Sequence, residues 1–170
     1  MKVALREAVV GDTESIAALG AAVWIRTYAA DGIRRDIGNY VRAEFSVDRI
    51  AMSIAEANSH LVVAEREGHI LGYAHTTLDA VCPVSASHRA ELVKLYVLDT
   101  FGGRGIGTRL LRASESFAEA RTERLWFSVN ASNDRALQFY GRRGYRDVGE
   151  SYFVLGPERY ENRVFVQQTA

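Results

Sequence analysis

Apolar residues recur along the chain with two different periods, and the switches between them predict the order of elements. Lys2 to Glu7 alternates and reads as a short strand. Gly11-Asp12 offers a turn and an N-cap, after which Ile16, Leu19, Val23 and Thr27 recur at helical spacing. A second helical stretch is expected from near Asn39 to Ala57, with Val41, Phe45, Ile50 and Ile54 on its apolar side. Within it, Ser46-Val47-Asp48 has the composition of a fresh helix start. His60 to Glu65 and Ile70 to Thr77 are apolar, β-branched runs joined by Arg66-Glu67-Gly68-His69, which signals a hairpin. Asp79 to Arg89 carries Pro83 and several small polar residues and reads as a loop; its length favours a functional role.

In the second half, Glu91 to Leu98 is the next expected strand, followed by a glycine-rich stretch. The helix after it places Ile106, Leu110, Ser114 and Phe117 on one face and Arg109, Arg112 and Glu119 on the other. Arg124 to Asn130 reads as a strand, and Ser132 as the cap of a helix that ends at Gly144. Tyr145 to Leu155 and Arg163 to Gln167 complete the pattern as a hairpin around Gly156-Pro157. With no internal repeat and no low-complexity linker, residues 1–170 are expected to form one α/β domain with a mixed sheet.

Composition narrows the class of partner. Lys and Arg number 21 and Asp and Glu number 21, so no global field draws the chain to nucleic acid or to an anionic membrane. Cys82 is the only cysteine, which rules out an intrachain disulfide. Charge arrives too early after Met1 for a signal peptide, and no run approaches the roughly 20 apolar residues that cross a bilayer. A cytoplasmic location is therefore expected. A homodimer is compatible with the sequence.

The chemistry concentrates in Gly102-Gly103-Arg104-Gly105-Ile106-Gly107, between a strand and a helix. Glycines there let the main chain approach a ligand, and the helix start offers unpaired N–H donors to an anion such as phosphate. Gly102 and Gly107 have P-loop spacing, but Thr108 stands where lysine is required. A dinucleotide fingerprint beginning at Gly103 or Gly105 meets Thr108 or Leu110 in place of its third glycine. A tight turn without a ligand is the competing explanation of the glycines taken alone.

Two motifs narrow the choice. Leu95-Tyr96-Val97 followed by Gly103-Arg104-Gly105-Ile106-Gly107-Thr108 and Leu110-Leu111 resembles the coenzyme A signature of the GNAT superfamily of N-acetyltransferases. Asn133 to Tyr140, then Gly144-Tyr145, resembles that superfamily's second motif. The order of elements over nearly the whole chain is also similar. This resemblance implies an acyl-CoA N-acyltransferase fold, with a central twisted mixed sheet flanked by helices, and acetyl-CoA as co-substrate. It assigns the diphosphate to Gly103, Arg104, Gly105, Ile106, Gly107 and Thr108, and further donor contacts to Leu95, Tyr96, Val97, Gly102 and Asn133. The family usually carries Gln or Arg at the position of Gly102, and this chain departs from that pattern.

Acetyl transfer to an amine needs a base for an ammonium of pKa roughly 10.4 and an acid for the departing thiolate. The resemblance implies Tyr140, seven residues after Asn133, as the acid, with core packing of Phe139-Tyr140 as the alternative. Where some relatives carry a glutamate on the strand ending at Asn130, this chain has Ser128. Other relatives place a glutamate six residues before the position of Val97, so the resemblance implies Glu91, which shares strand parity with Leu95 and Val97, as the base; water relay and an ordinary exposed carboxylate remain alternatives. His60, His69, His75 and His88 show no metal-binding spacing, and no metal is expected. Trp24 and Tyr28, one helical turn apart, could wall an acceptor pocket or simply pack in the core.

Loose similarity to PaiA-type polyamine acetyltransferases lies in Ala43-Glu44-Phe45-Ser46, Leu95-Tyr96-Val97 and Ser151 to Gly156. It implies a small amine acceptor, with a peptide amine or a non-catalytic coenzyme A sensor as alternatives. Asp31, Asp36, Glu44, Asp79 and Glu91 lie in segments that could border a polyamine site, although most of them read as solvated surface charges.

Overall fold

A computed structural model describes residues 2–168. Seven strands form one sheet in the order β1-β2-β3-β4-β5-β7-β6. They are β1 (Ala4–Glu7), β2 (Ser59–Arg66), β3 (His69–Thr77), β4 (Ala90–Val97), β5 (Leu125–Asn130), β6 (Tyr145–Leu155) and β7 (Glu158–Gln167). Neighbours run antiparallel except β4 and β5, which are parallel. Helices α1 (Thr13–Tyr28), α2 (Arg35–Glu44) and α3 (Val47–Ala55) precede β2; α4 (Ile106–Glu119) and α5 (Asp134–Gly141) flank β5 in sequence. No helix among the described residues is long and apolar enough to cross a membrane.

The sheet is covered on both faces because its strands are apolar on both. On one face Leu110, Leu111 and Ala118 of α4 pack with Val62, Leu71, Leu92 and Phe127. On the other, Ile16 and Leu19 of α1 and Ile50 of α3 pack on Leu61, Val63 and Tyr73. Gly20 is where α1 comes close enough that a Cβ would sit 2.6 Å from the Phe45 ring and 2.7 Å from the Tyr73 hydroxyl.

The second helical stretch is two helices, broken where Ser46 turns extended and its Oγ accepts from the Arg49 N–H at 3.2 Å. At the β2–β3 hairpin, Glu67 (φ 53°) and Gly68 (φ 79°) take the paired left-handed geometry of a two-residue turn. Three expectations need correction. Asp12 does not cap α1 with its side chain; its carboxylate instead receives Arg6 at 2.7 and 2.9 Å and the Val9 N–H at 2.8 Å. Asn133, not Ser132, caps α5, while Ser132 bonds the Asn130 side chain. β7 begins at Glu158 rather than Arg163, because its polar first half is carried by pairing with β6.

The long loop at 78–89 folds back on itself, with Ala80 and Cys82 N–H groups donating to Arg89 and His88 carbonyls at 3.0 Å. It covers Trp126, whose Nε1 donates to the Ala80 carbonyl at 2.6 Å, and buries Cys82 to 3 % exposure. None of its residues lines the cleft described next.

Candidate active site

β4 and β5 pair only at Ala90↔Leu125 and Glu91↔Trp126, and then part company. From Leu92 and Phe127 onward, each keeps its outer neighbour while the edges facing each other lose their ladder. A cleft of about 320 Å³ opens there, and main-chain groups of both strands border it. A bulge accompanies the parting: Thr76 pairs Leu92 and His75 pairs Lys94, leaving Val93 without a counterpart.

That bulge corrects the expected geometry of Glu91. Ala90 and Leu92 face the α4 core before it, and Leu95 and Val97 face the same core after it. Glu91 therefore falls on the face of Lys94 and Tyr96, opposite Leu95 and Val97, despite sharing their parity in sequence. It lines the cleft, and burial raises its carboxyl above the ordinary range, with Lys94 opposing.

Tyr140 packs in the core and also borders the cleft. It is 7 % exposed and its ring lies 4.1 Å from that of Phe127, inside the α4–α5 core. The same residue lines the cleft and carries no hydrogen bond from another described side chain. Burial raises its phenol well above the usual value, and the Arg143 charge opposes this. Asn133 also lines the cleft; its Oδ1 is occupied by the Ala136 N–H at 3.1 Å, which leaves the amide nitrogen as a donor.

The glycine stretch continues directly from β4 through a 3-10 turn at Asp99–Phe101. Gly103 (φ 73°) and Gly105 (φ 77°) are left-handed, and a Cβ on either would meet no protein atom within 4 Å. Gly105 is the N-cap of α4. Among the described residues, no hydrogen bond outside the regular elements takes up an N–H of residues 103–108. Ile106, 2 % exposed, anchors the helix start in the core, and a Cβ on Gly107 would lie 3.6 Å from the Phe139 ring. Arg104 stacks on Phe101 at 5.5 Å, and Arg143 donates to Thr108 Oγ1 at 2.5 Å. Tyr96 points the other way, edge-on to Tyr73 at 5.7 Å, so its side chain lies on the α1 face of the sheet.

The opposite side of the cleft is walled by side chains. Trp24 and Tyr28 stack at 4.6 Å, Tyr40 adds to Trp24 at 4.8 Å, and Phe153 closes over Tyr40 at 5.3 Å and Tyr28 at 5.7 Å. Lys94 and Glu44 pair at 2.6 Å within this wall, and Arg49 holds the second Glu44 oxygen at 2.9 Å. Of the five carboxylates considered for a polyamine, Glu44 and Glu91 line the cleft. Asp36 pairs with Arg34 and Asp79 with Arg89, while Asp31 lies exposed outside the cleft lining. Tyr40, Lys94, Asn130, Phe153 and Asn162 complete the lining without having been singled out in sequence; only the Trp24–Tyr28 spacing hinted at this wall. No group of three metal-ligating side chains occurs among the described residues.

A mixed sheet with diverging parallel strands and an amide-rich glycine turn is the frame of an acetyltransferase, and the chain belongs to the acetyltransferase (GNAT) family, whose profile matches residues 29–145. It is an acetyl-CoA-dependent N-acetyltransferase by class. It is 27 % identical over 159 residues to an uncharacterised N-acetyltransferase of Mycobacterium tuberculosis, covering 92 % of this chain and 97 % of that one. It is 32 % identical over 113 residues to the N-alpha-acetyltransferase RimI of the same species, covering 65 % and 68 %. A spermidine N(1)-acetyltransferase of Thermoplasma acidophilum is 23 % identical over 171 residues, covering 95 % and 100 %. The crystal structure of the PaiA N-acetyltransferase of that organism in complex with coenzyme A has the same fold, with a TM-score of 0.76 at 18 % identity over 96 % and 98 % of the two chains.

Proposed function

We propose that residues 1–170 act as one domain that transfers an acetyl group from acetyl-CoA to the primary amine of a small molecule, polyamines included. The observation that carries this reading is the parting of β4 from β5, with Tyr140 reaching the cleft from the α4–α5 side and Glu91 from the other. Main-chain amides of residues 103–108 hold the diphosphate at the start of α4, and those of Leu95 and Val97 hold the pantetheine arm. The Asn133 amide nitrogen adds a donor.

Glu91, directly or through one water, takes a proton from the ammonium. The neutral nitrogen then attacks the thioester carbon, the carbon–sulfur bond breaks, the thiolate receives the Tyr140 proton, and the second proton that the nitrogen sheds in becoming an amide returns to the Tyr140 phenolate. Burial suits both groups to these roles, since a raised carboxyl is the stronger base and a raised phenol keeps its proton at neutral pH. Transfer from such a phenol to a thiolate of ordinary pKa about 8.5 is uphill, and the Arg143 charge is what favours the phenolate.

A peptide amine is a second reading, supported by the 32 % identity to RimI. The aromatic wall supports the small amine, because the β6–β7 turn rests on α2. A Cβ on Gly156 there would fall on the Asp36 carboxylate. Thiol release from acetyl-CoA, followed against polyamines, other small amines and peptides, tests the proposal. Turnover on a small amine is expected; binding of acetyl-CoA without turnover on any amine would leave a sensor instead.

A further inference from the structure

Gly102 is not a glycine for backbone reasons. Its φ of −62° and ψ of 153° are open to any residue. Space is what it provides: a Cβ there would fall on Nη2 of Arg135, with Cζ at 3.1 Å and the Asp99 carbonyl oxygen at 3.1 Å. Arg135 stands on the first turn of α5, and its guanidinium crosses to the glycine turn. Nη1 donates to Asp99 Oδ1 at 3.0 Å, while the other Asp99 oxygen pairs with Arg26 of α1. One carboxylate thus serves two guanidinium groups, so the cluster retains positive charge. Arg135 is 66 % exposed and borders the stretch whose N–H groups are free.

We propose that Arg135 is the cation for the coenzyme A diphosphate, delivered from α5 into the space that a side chain at position 102 would fill. This rests on the reading of residues 103–108 as the diphosphate cradle. Main-chain amides present only partial charges, whereas a guanidinium brings a full charge and a planar pair of donors matched to phosphate oxygens. Asp99 aims the guanidinium through Nη1 and leaves Nη2, the atom above Gly102, to the ligand.

The test is calorimetry of coenzyme A and of 3′-dephospho-coenzyme A on the unaltered protein, Arg135→Ala, Gly102→Arg and the double variant, with Tm recorded for each. Arg135→Ala is expected to weaken both ligands about tenfold with little change in Tm, as loss of a charge-assisted pair at an exposed site. Gly102→Arg alone also weakens binding, because two guanidinium groups contend for one space. The double variant returns a single guanidinium to that space and is expected to recover most of the affinity. Unchanged affinity in Arg135→Ala overturns the proposal. So does a loss confined to the ligand bearing the 3′-phosphate, which would move the contact to that group. A lowered Tm with no recovery in the double variant would make Arg135 a structural tie between α5 and the turn. Absence of coenzyme A binding by the unaltered protein would instead refute the cradle itself.

Discussion

The two sides of the cleft are built from different materials. On the α4–α5 side, donors come from the main chain: the freed edges of β4 and β5 and the amides at 103–108. On the α1–α2 side, the wall is made of side chains, Trp24, Tyr28, Tyr40 and Phe153, with the Lys94–Glu44 pair among them. A site built of main chain constrains residue type only where a Cβ or a negative φ would intrude. A site built of side chains changes with every substitution. The first kind suits a ligand that does not vary, and the second a ligand that differs from one enzyme to the next.

Substitutions on either side sharpen this contrast. Gly105→Val is expected to have the largest effect. It puts a β-branched residue at φ 77° and a side chain into space that the protein leaves open, so acetyl-CoA affinity should fall by about a hundredfold or more. Calorimetry on the folded variant checks this, and undiminished binding would remove the loop from the donor site. Tyr140→Phe comes next: kcat should drop about 10- to 100-fold while coenzyme A affinity holds, because the ring keeps its place beside Phe127. An unchanged kcat would return Tyr140 to the core alone.

Glu91→Gln is expected to lower kcat about tenfold and to change the pH profile. The base must be ionised to accept a proton, and burial raises its carboxyl above 4.5, so activity should fail on acidification through that raised value. The variant should lose this acid limb; a profile identical to that of the unaltered enzyme would assign the limb elsewhere. Phe153→Ala should act least, raising KM for the amine a few-fold, on the order of one lost aromatic contact, with KM for acetyl-CoA unmoved. A change in the acetyl-CoA value instead would erase the distinction between the two sides.

His75 offers a separate measure on stability. Burial lowers it from 6.5 to about 3, so the folded state holds it neutral while the unfolded chain binds a proton below about 6.5. Stability should therefore decline as pH falls from 6.5 towards 3. A His75→Gln protein should show a flatter Tm profile over that window.

What the sequence disclosed follows the same division. The strand, glycine turn and helix from Glu91 to Phe117 were legible because their signals are local: apolar alternation, clustered glycines and a helical face through Ile106, Leu110 and Ser114, which the structure continues to Ala118 where the sequence pointed to the half-buried Phe117. The helix-start composition at Ser46 was legible for the same reason, but not that the stretch divides there. The aromatic wall was not, since residues near 24, 40 and 153 meet only after β6 and β7 have been laid beside β5. Nor was the orientation of Glu91, because Val93 has the composition of an ordinary strand residue and nothing in its type marks a bulge. The first half of β7 escaped notice since its residues are held by main-chain pairing and are mostly exposed.

Val93 also says how this chain tolerates change. Within β4, one amino acid can be traded for another with local consequences. Removing one residue upstream of Lys94 would instead either erase the irregularity or exchange inside for outside from Ala90 to Leu92, sending Glu91 into the oily layer beneath α4. Strand length between Ala90 and Lys94 is thus the least negotiable property of this segment, and random indel libraries should be depleted there well before point-substitution libraries are.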